Sequence, residues 1–195
     1  SDVTTESSDE DVVTVTGSSI AKPGNYSLEI DSLAQAHSLS SKSFTETSSP
    51  VGTGTLTFQF GHFDADSNSF ISNPDESTKT ITIDNDDNSL QGIRDAVNAA
   101  EMGVTASLVN DGSGFKLLFT SDETGEENGV KISVSDTSDG SDTDDSGLSQ
   151  LAFDPDPANA ANSHMTENLA AKDAKFTLNG LAITSASNKV NSAIS

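Results

Sequence analysis

Residues 89–121 read SLQGIRDAVNAAEMGVTASLVNDGSGFKLLFTS, and the spacing of the apolar residues changes halfway through this stretch. In the first half Leu90, Ile93 and Val97 lie three and four positions apart, which is the spacing of one face of an α-helix. The second half alternates apolar and polar residues, which is typical of strands with one buried face. The alternating apolar residues are Val104, Ala106, Leu108, Phe115, Leu117 and Phe119. The stretch therefore predicts a helix that runs directly into a β-hairpin.

The same residues predict where the helix and the hairpin begin and end. A helix from about Ser89 to Met102 would begin with a capping box formed by Asn88 and Gln91. Gly103 is placed to end it in a left-handed conformation. The sequence NDGSG at 110–114 supplies the turn of the hairpin. We expect GVKISVS at 129–135 to be a third strand beside the hairpin, with the apolar face of the helix packed on all three.

Period-two patterns elsewhere predict further strands. VVTVTGS at 12–18 and NYSLEI at 25–30, with Tyr26, Leu28 and Ile30 on one face, each indicate a strand. TLTFQF at 55–60 and TITID at 80–84 predict a hairpin with a long acidic loop. In AKFTLNGLAITSAS at 174–187, Asn179 and Gly180 fit a type I′ turn between two strands. LSQLAF at 148–153 predicts one helical turn.

The distribution of linkers predicts two domains. Stretches rich in Ser, Thr, Pro and Gly at 46–54 and 154–163 have no buried periodicity and interrupt the patterned segments. The predicted fold is α+β and mostly β, with two small β-rich domains. Residues 1–48 and 160–195 would form the first domain, truncated at its C-terminus. Residues 49–159 would form a second domain inserted in it, with one short helix packed on antiparallel strands.

Composition excludes several classes of function. The net charge is -22, with only 9 Lys and Arg against 31 Asp and Glu. Nucleic acids and anionic membranes bind through clusters of Lys and Arg, so neither is an expected partner. The chain has no cysteine, which excludes disulfides and thiol nucleophiles. No run of 18 apolar residues indicates insertion into a membrane.

No motif indicates catalysis. The sequence contains no G-x-S-x-G elbow, phosphate-binding loop or dinucleotide fingerprint. His37, His62 and His164 lie in separate segments without zinc-ligand spacing, and we interpret them as polar surface residues. The sequence therefore predicts no enzyme, no catalytic residue and no cofactor.

One segment has a weak resemblance to a calcium loop. DADSNSFISNPD at 64–75 places Asp64, Asp66, Asn68 and Asp75 near the positions of EF-hand ligands. Ser69 replaces the glycine of that loop, and Asp75 is shorter than the usual glutamate. A solvated acidic loop is the alternative.

Five segments resemble one protein family in their order along the chain. They are GNYSLEIDSLAQAHSLSS at 24–41, GTLTFQFG at 54–61, IRDAVNAAEMGVTASLVNDG at 93–112, AKFTLNG at 174–180 and SASNKV at 185–190. Together they closely resemble the head region of the bacterial flagellar filament capping proteins, the FliD family. The resemblance extends from about Val13 to Ile194.

The resemblance implies a structural role in assembly. Family members are exported by the flagellar secretion apparatus, form a ring at the extracellular tip of the flagellum, and help flagellin to fold and polymerise there. Self-association in the full-length protein and flagellin are the implied partners. The family's terminal legs are absent, so we expect an excised head fragment that can remain monomeric by itself.

Two other classes of function stay open at this point. An adhesion module of the cell surface would use its acidic loops to bind calcium. An enzyme would need a pocket in which carboxylates with shifted pKa values converge.

Overall fold

Most of the regular secondary structure of the chain consists of short antiparallel strands. The computed structural model describes residues 3–191 and 193–194. The elements in chain order are β1 (Leu28–Ser32), β2 (Ala36–Ser40), β3 (Gly54–Asp64), β4 (Ser69–Ser72), β5 (Lys79–Ile83), α1 (Leu90–Ala99), β6 (Val104–Asn110), β7 (Phe115–Thr124), β8 (Gly129–Asp136), β9 (Thr166–Leu169), β10 (Ala174–Leu178) and β11 (Leu181–Ser185). Short 3-10 helices cover Glu126–Asn128, Gly147–Leu151 and Pro157–Asn162. The prediction of a mostly β fold with one short helix is confirmed.

Strand β3 is the centre of the first four-stranded sheet. Along one edge, the first half of β3 pairs with β5 and its last four residues pair with β4. Along the other edge, β3 pairs with β8. The alternation of TLTFQF turns Leu56, Phe58 and Phe60 to one face, where all three are buried. The predicted pairing of TLTFQF with TITID is confirmed, and the acidic loop between them contains the additional strand β4.

A second four-stranded sheet has the order β6-β7-β2-β9. The predicted hairpin of β6 and β7 is confirmed, with Val104 opposite Ser121 and Asn110 opposite Phe115. The prediction that GVKISVS lies beside this hairpin is wrong. This segment is β8, and it pairs with β3 over eight residues because their buried faces match in register.

Helix α1 is shorter than predicted. Its N-cap is Ser89, whose hydroxyl accepts the N–H of Gly92 at 3.0 Å, so the predicted capping box of Asn88 and Gln91 is wrong. The helix ends at Ala99 because Glu101 already has a left-handed conformation, with φ 49°. Gly103 also has a positive φ, of 81°, but it lies beyond the cap. A Cβ there would lie 2.7 Å from the ring of Phe60.

The two four-stranded sheets share one core. Leu39, Leu117 and Phe119 from the second sheet join the buried residues of the first sheet and of α1 in one hydrophobic cluster. The rings of Phe58 and Phe119 meet edge to face, with centroids 5.4 Å apart and an interplanar angle of 88°. The predicted core positions of the helix, Leu90, Ile93 and Val97, are fully buried.

The remaining strands form a third, smaller sheet with the order β1-β10-β11. Asn179 and Gly180 join its hairpin with φ values of 47° and 83°, so the predicted type I′ turn is confirmed. Strand β1 begins only at Leu28, which leaves Tyr26 outside the sheet.

The predicted strand at 12–18 is wrong. The structure assigns no strand to these residues, and Val12 and Val15 are exposed. A period-two pattern stabilises a strand only when a neighbouring edge accepts its hydrogen bonds, and in the described part of the chain no edge pairs with this segment.

The strand pairings do not match the predicted domain boundaries at 48/49 and 159/160. Strand β2 lies before the first boundary but pairs with β7, and β9 lies after the second boundary but pairs with β2. The predicted linker at 46–54 is packed on the start of the helix, where Leu90 and Gln91 donate to the carbonyls of Ser49 and Thr47. The predicted linker at 154–163 includes the 3-10 helix Pro157–Asn162.

The chain exposes a large surface for its mass. Its accessible area is 11291 Å² at 20.1 kDa. A compact protein of that mass exposes about 8,700 Å². The excess reflects shallow cores, many polar loops and the exposed segment before β1. None of the helices in the described residues is long and apolar enough to cross a membrane.

Truncating Phe58 tests whether the two large sheets depend on their shared core. The ring is fully buried. Phe58→Ala should therefore lower the free energy of unfolding by about 3–5 kcal/mol in urea titrations. Leu181→Ala is the control, because Leu181 is 70% exposed; its effect should stay within about 0.5 kcal/mol. Equal effects of the two substitutions would contradict the assigned core.

Candidate functional site

The small sheet joins the larger unit where two segments of the chain pass between them. These segments are 33–35 and 170–173, and they lie side by side. Gln35 and Lys172 exchange two backbone hydrogen bonds, of 2.9 and 3.1 Å. The side chain of Gln35 donates to the carbonyl of Ala170 at 2.8 Å. We call residues 33–35, 124–126, 170–173 and 186–188 the junction.

The side chain of Asn188 also contacts segment 33–35 of the junction. Its side-chain carbonyl accepts the N–H of Ala34 at 2.7 Å, and its amide donates to the carbonyl of Ala34 at 3.0 Å. An asparagine side chain thus pairs with Ala34 as a neighbouring strand would. This contact gives the SASN part of the sequence a structural role.

The loop after β7 completes the junction. The hydroxyl of Thr124 donates to the carbonyl of Ala186 at 2.6 Å, and the N–H of Glu126 donates to Asp173 at 2.8 Å. Gly125 lies between them with φ 107°. A Cβ at Gly125 would lie 2.7 Å from the Cβ of Ala186, so only glycine fits this approach. The junction is therefore a set of specific backbone contacts.

His37 lies beside the junction and is buried, so the prediction that it is a surface residue is wrong. Its ring Nδ1 accepts the N–H of Val130 at 2.7 Å, and its Nε2 lies 2.8 Å from the carboxylate of Glu167. Because Nδ1 is an acceptor, the proton of the neutral ring is on Nε2 and is donated to Glu167. Burial lowers the pKa of His37 and outweighs the opposing effect of Glu167.

A second buried pair supports β8. Lys131 lies 2.9 Å from Asp154, and both side chains are largely shielded from water. Burial opposes the charge of Asp154, but the N–H of Asp156 and the ammonium of Lys131 hold the pKa of this carboxyl below its usual range. The ammonium also lies 5.3 Å from the ring centroid of Phe70.

The acidic loop after β8 is organised by Asp136. This carboxylate is buried and accepts the N–H groups of Ser138 and Ser149, at 2.7 and 2.9 Å. Burial opposes its charge, but these hydrogen bonds lower the pKa of Asp136 below its usual value. The carboxylate therefore fixes both ends of the loop.

The predicted calcium ligands lie around the turn between β3 and β4. Asp64 is the last residue of β3, and its carboxylate accepts the N–H groups of Asp66 and Ser67 at 3.1 and 3.2 Å. Asn68 is in the same turn with φ 51°, whereas Asp75 follows the end of β4. Within residues 3–191 and 193–194, no three His, Cys, Asp or Glu side chains are grouped so that they could hold a metal ion. Calcium binding at these four residues stays a prediction.

Sequence reasoning missed His37 and Asn188 as structural residues. His37 lies at an irregularity in the pairing of β2 with β7, between Ala36 and Ser38. Such irregularities turn a side chain away from its regular direction. Asn188 follows the last strand in a polar segment, and only its place in the SASNKV sequence gave any signal.

Comparisons with known proteins agree with this fold. A family model described as the N-terminus of flagellar hook-associated protein 2 matches residues 1–37. The B-type flagellar hook-associated protein 2 of Pseudomonas aeruginosa is 33% identical over 98% of this chain and 38% of its own length. The flagellar hook-associated protein 2 of Escherichia coli strain K12 is 34% identical over 96% of this chain and 36% of its own length.

A solved structure covers both parts of the molecule. The crystal structure of the D2-D3 domains of the flagellar cap protein FliD from Escherichia coli superposes with a TM-score of 0.73 and 33% identity. The match covers 92% of this chain and 82% of that one. The chain belongs to the flagellar hook-associated protein 2 family, FliD. The resemblance found in the sequence is thereby confirmed. The chain spans somewhat more than a third of the curated family members that it matches.

Removing the Asn188 side chain tests the junction. Asn188→Ala should lower the free energy of unfolding by about 1–3 kcal/mol, because two hydrogen bonds to a partly buried backbone are lost. Hydrogen exchange should report the loss at the amide of Ala34, which donates to Asn188. The amide of Ile132, bound to the carbonyl of Phe153, should keep its protection.

Asn85→Ala is the matched control, because Asn85 lies on an exposed turn. It should leave the exchange of Ala34 unchanged. Unchanged protection of Ala34 in Asn188→Ala would show that the asparagine does not hold the junction.

Proposed function

We propose that this chain is the head of a flagellar filament cap subunit, which promotes the folding and polymerisation of flagellin at the filament tip. The observation that carries the proposal is the superposition on the D2-D3 domains of the Escherichia coli cap protein over 92% of the chain. The comparisons give no support to the alternative of an adhesion module.

The chemistry of the described residues supports a structural role and not an enzymatic one. Most carboxyl groups with lowered pKa values in the described residues are held by nearby turn residues or by a single lysine, and Asp95 on α1 is held by the adjacent Arg94. Asp64 is bound by Ser67, Asp144 by Ser149, and Asp111 by Lys116. In an active site such groups converge on one cavity. Here they stabilise separate loops.

We propose self-association and flagellin as the partners of the full-length protein. Subunits in a ring meet through two different faces, which must be held in a fixed relative position. The junction supplies such a connection between the small sheet and the two large sheets. In this proposal the full-length protein is exported by the flagellar secretion apparatus and acts outside the cell at the tip of the flagellum.

We also propose that the chain has two domains, with the second inserted in the first. The pairing of β2 and β9 supports boundaries near 33–35 and 170–173. The inserted domain would then contain both four-stranded sheets and α1, and the first domain would contain the three-stranded sheet.

Deleting the gene for the full-length protein tests the proposed function. The mutant cells should secrete unpolymerised flagellin into the medium and have few or no filaments, as measured by immunoblotting and electron microscopy. The full-length gene on a plasmid should restore the filaments. A gene in which residues 36–169 are replaced by a short linker should not. Normal filaments in the deletion strain would contradict the proposal.

A further inference from the structure

The edge of β8 that faces away from β3 includes the backbone N–H groups of Val130 and Ile132. In an antiparallel strand, N–H groups two residues apart point to the same side. The N–H of Ile132 on this edge donates to the carbonyl of Phe153 at 2.8 Å. The N–H of Val130 donates to Nδ1 of His37 at 2.7 Å. A side chain of the second sheet therefore completes the hydrogen bonding of the first.

His37 is also held in place by contacts with Ser121, Phe153 and Glu167. Its backbone N–H donates to the hydroxyl of Ser121 on β7 at 2.9 Å, and its ring lies 5.5 Å from the ring of Phe153. The side chain of Glu167 on β9 accepts from Nε2. One imidazole thus links three strands of the two sheets, which are β2, β8 and β9.

This arrangement accepts only the neutral ring. An imidazolium has N–H groups at both nitrogens and no acceptor. A proton on Nδ1 would point at the N–H of Val130, so their hydrogen bond would be lost. The charged ring would also be only 3% exposed. Glu167 can stabilise the charge at Nε2, but its carboxylate is 44% exposed and remains hydrated.

Protons can reach this ring through a cavity beside it. The cavity has a volume of about 150 Å³ and is lined by His37, Glu167, Glu126 and His62, among others. Glu167, Glu126 and His62 are the titratable groups that share this cavity with the imidazole. On β8, the neighbouring Lys131 is paired with Asp154.

We propose that the hydrogen bonds of the His37 side chain connect the two large sheets and depend on pH. The neutral ring on β2 forms hydrogen bonds with β8 and β9. Protonation of the ring breaks its hydrogen bond with the N–H of Val130 on β8. Residues 35 and 170, which belong to the junction, lie within three positions of His37 and Glu167. Acid therefore loosens the strands that lead into the small sheet. This device does not depend on the proposed role at the filament tip.

The expected direction follows from the lowered pKa of His37 in the folded chain. The unfolded chain binds a proton at His37 more tightly than the folded chain does. The stabilisation that the neutral ring gives to the folded chain is therefore fully present above the unfolded pKa of about 6.5, and it is lost as the pH falls below that value. Between pH 7.5 and 5.5 the equilibrium constant for opening at Val130 should rise roughly three- to tenfold.

Hydrogen exchange of the 195-residue chain measures this opening. The protection factor of the Val130 amide, corrected for the intrinsic pH dependence of exchange, should fall roughly three- to tenfold between pH 7.5 and 5.5. In His37→Gln it should be independent of pH, because glutamine offers an acceptor and a donor without titrating. His164→Gln is the matched control and should behave as the original chain, because His164 lies outside the cavity and its ring contacts the carbonyl of Thr143.

Two measurements keep the test decisive if His37→Gln fails to fold. Nitrogen NMR of the original chain should show His37 at pH 7.5 as the neutral tautomer with the proton on Nε2. Glu167→Gln should make the loss of protection at pH 5.5 larger, because the carboxylate favours the charged ring in the folded chain and its removal leaves the unfolded pKa of His37 unchanged. Protonated Nδ1 at pH 7.5, or a protection factor of Val130 that does not change with pH, would overturn the proposal.

Discussion

The pairing of Gln35 with Lys172 is the constraint on which the architecture depends. Its two backbone hydrogen bonds hold together the only two places where the described chain passes between the small sheet and the larger unit. Because these two places are adjacent, residues 36–169 begin and end at the same point and can fold as one compact unit. The proposed insertion of residues 36–169 as a domain fits this arrangement, because inserted domains are tolerated when their ends lie close together. Asn188 and the loop at Gly125 then fix the direction in which the small sheet leaves that body.

Local features of the fold could be predicted from the sequence. The helical face of Leu90, Ile93 and Val97 and the type I′ turn at Asn179 and Gly180 depend on neighbouring residues, and both were confirmed. The pairing of β8 with β3 brings together residues that are 68 to 82 positions apart, and neither sequence pattern indicates it. At Val12 and Val15 the sequence predicted a strand that does not form, because an alternating pattern makes a strand only when a neighbouring strand edge pairs with it.

The role of His37, which lies beside the junction, could also not be predicted from neighbouring residues. His37 stands in a run of small and polar residues, which favours exposure. It is buried because an irregularity in β2 directs the ring towards β8. The abundance of Asp and Glu was equally misleading for metal sites, because Asp64 and Asp136 use their carboxylates to accept backbone N–H groups. In this chain acidic residues stabilise loops, and one buried imidazole joins two sheets.

The contacts of the junction should make the small sheet and the two large sheets one rigid scaffold. Nitrogen relaxation of backbone amides measures this directly, because it gives a rotational correlation time for each part. Amides of β1, β10 and β11 should have the same correlation time as those of β3 and β8. A clearly shorter time for the small sheet would show that the two parts move independently, and would contradict the account.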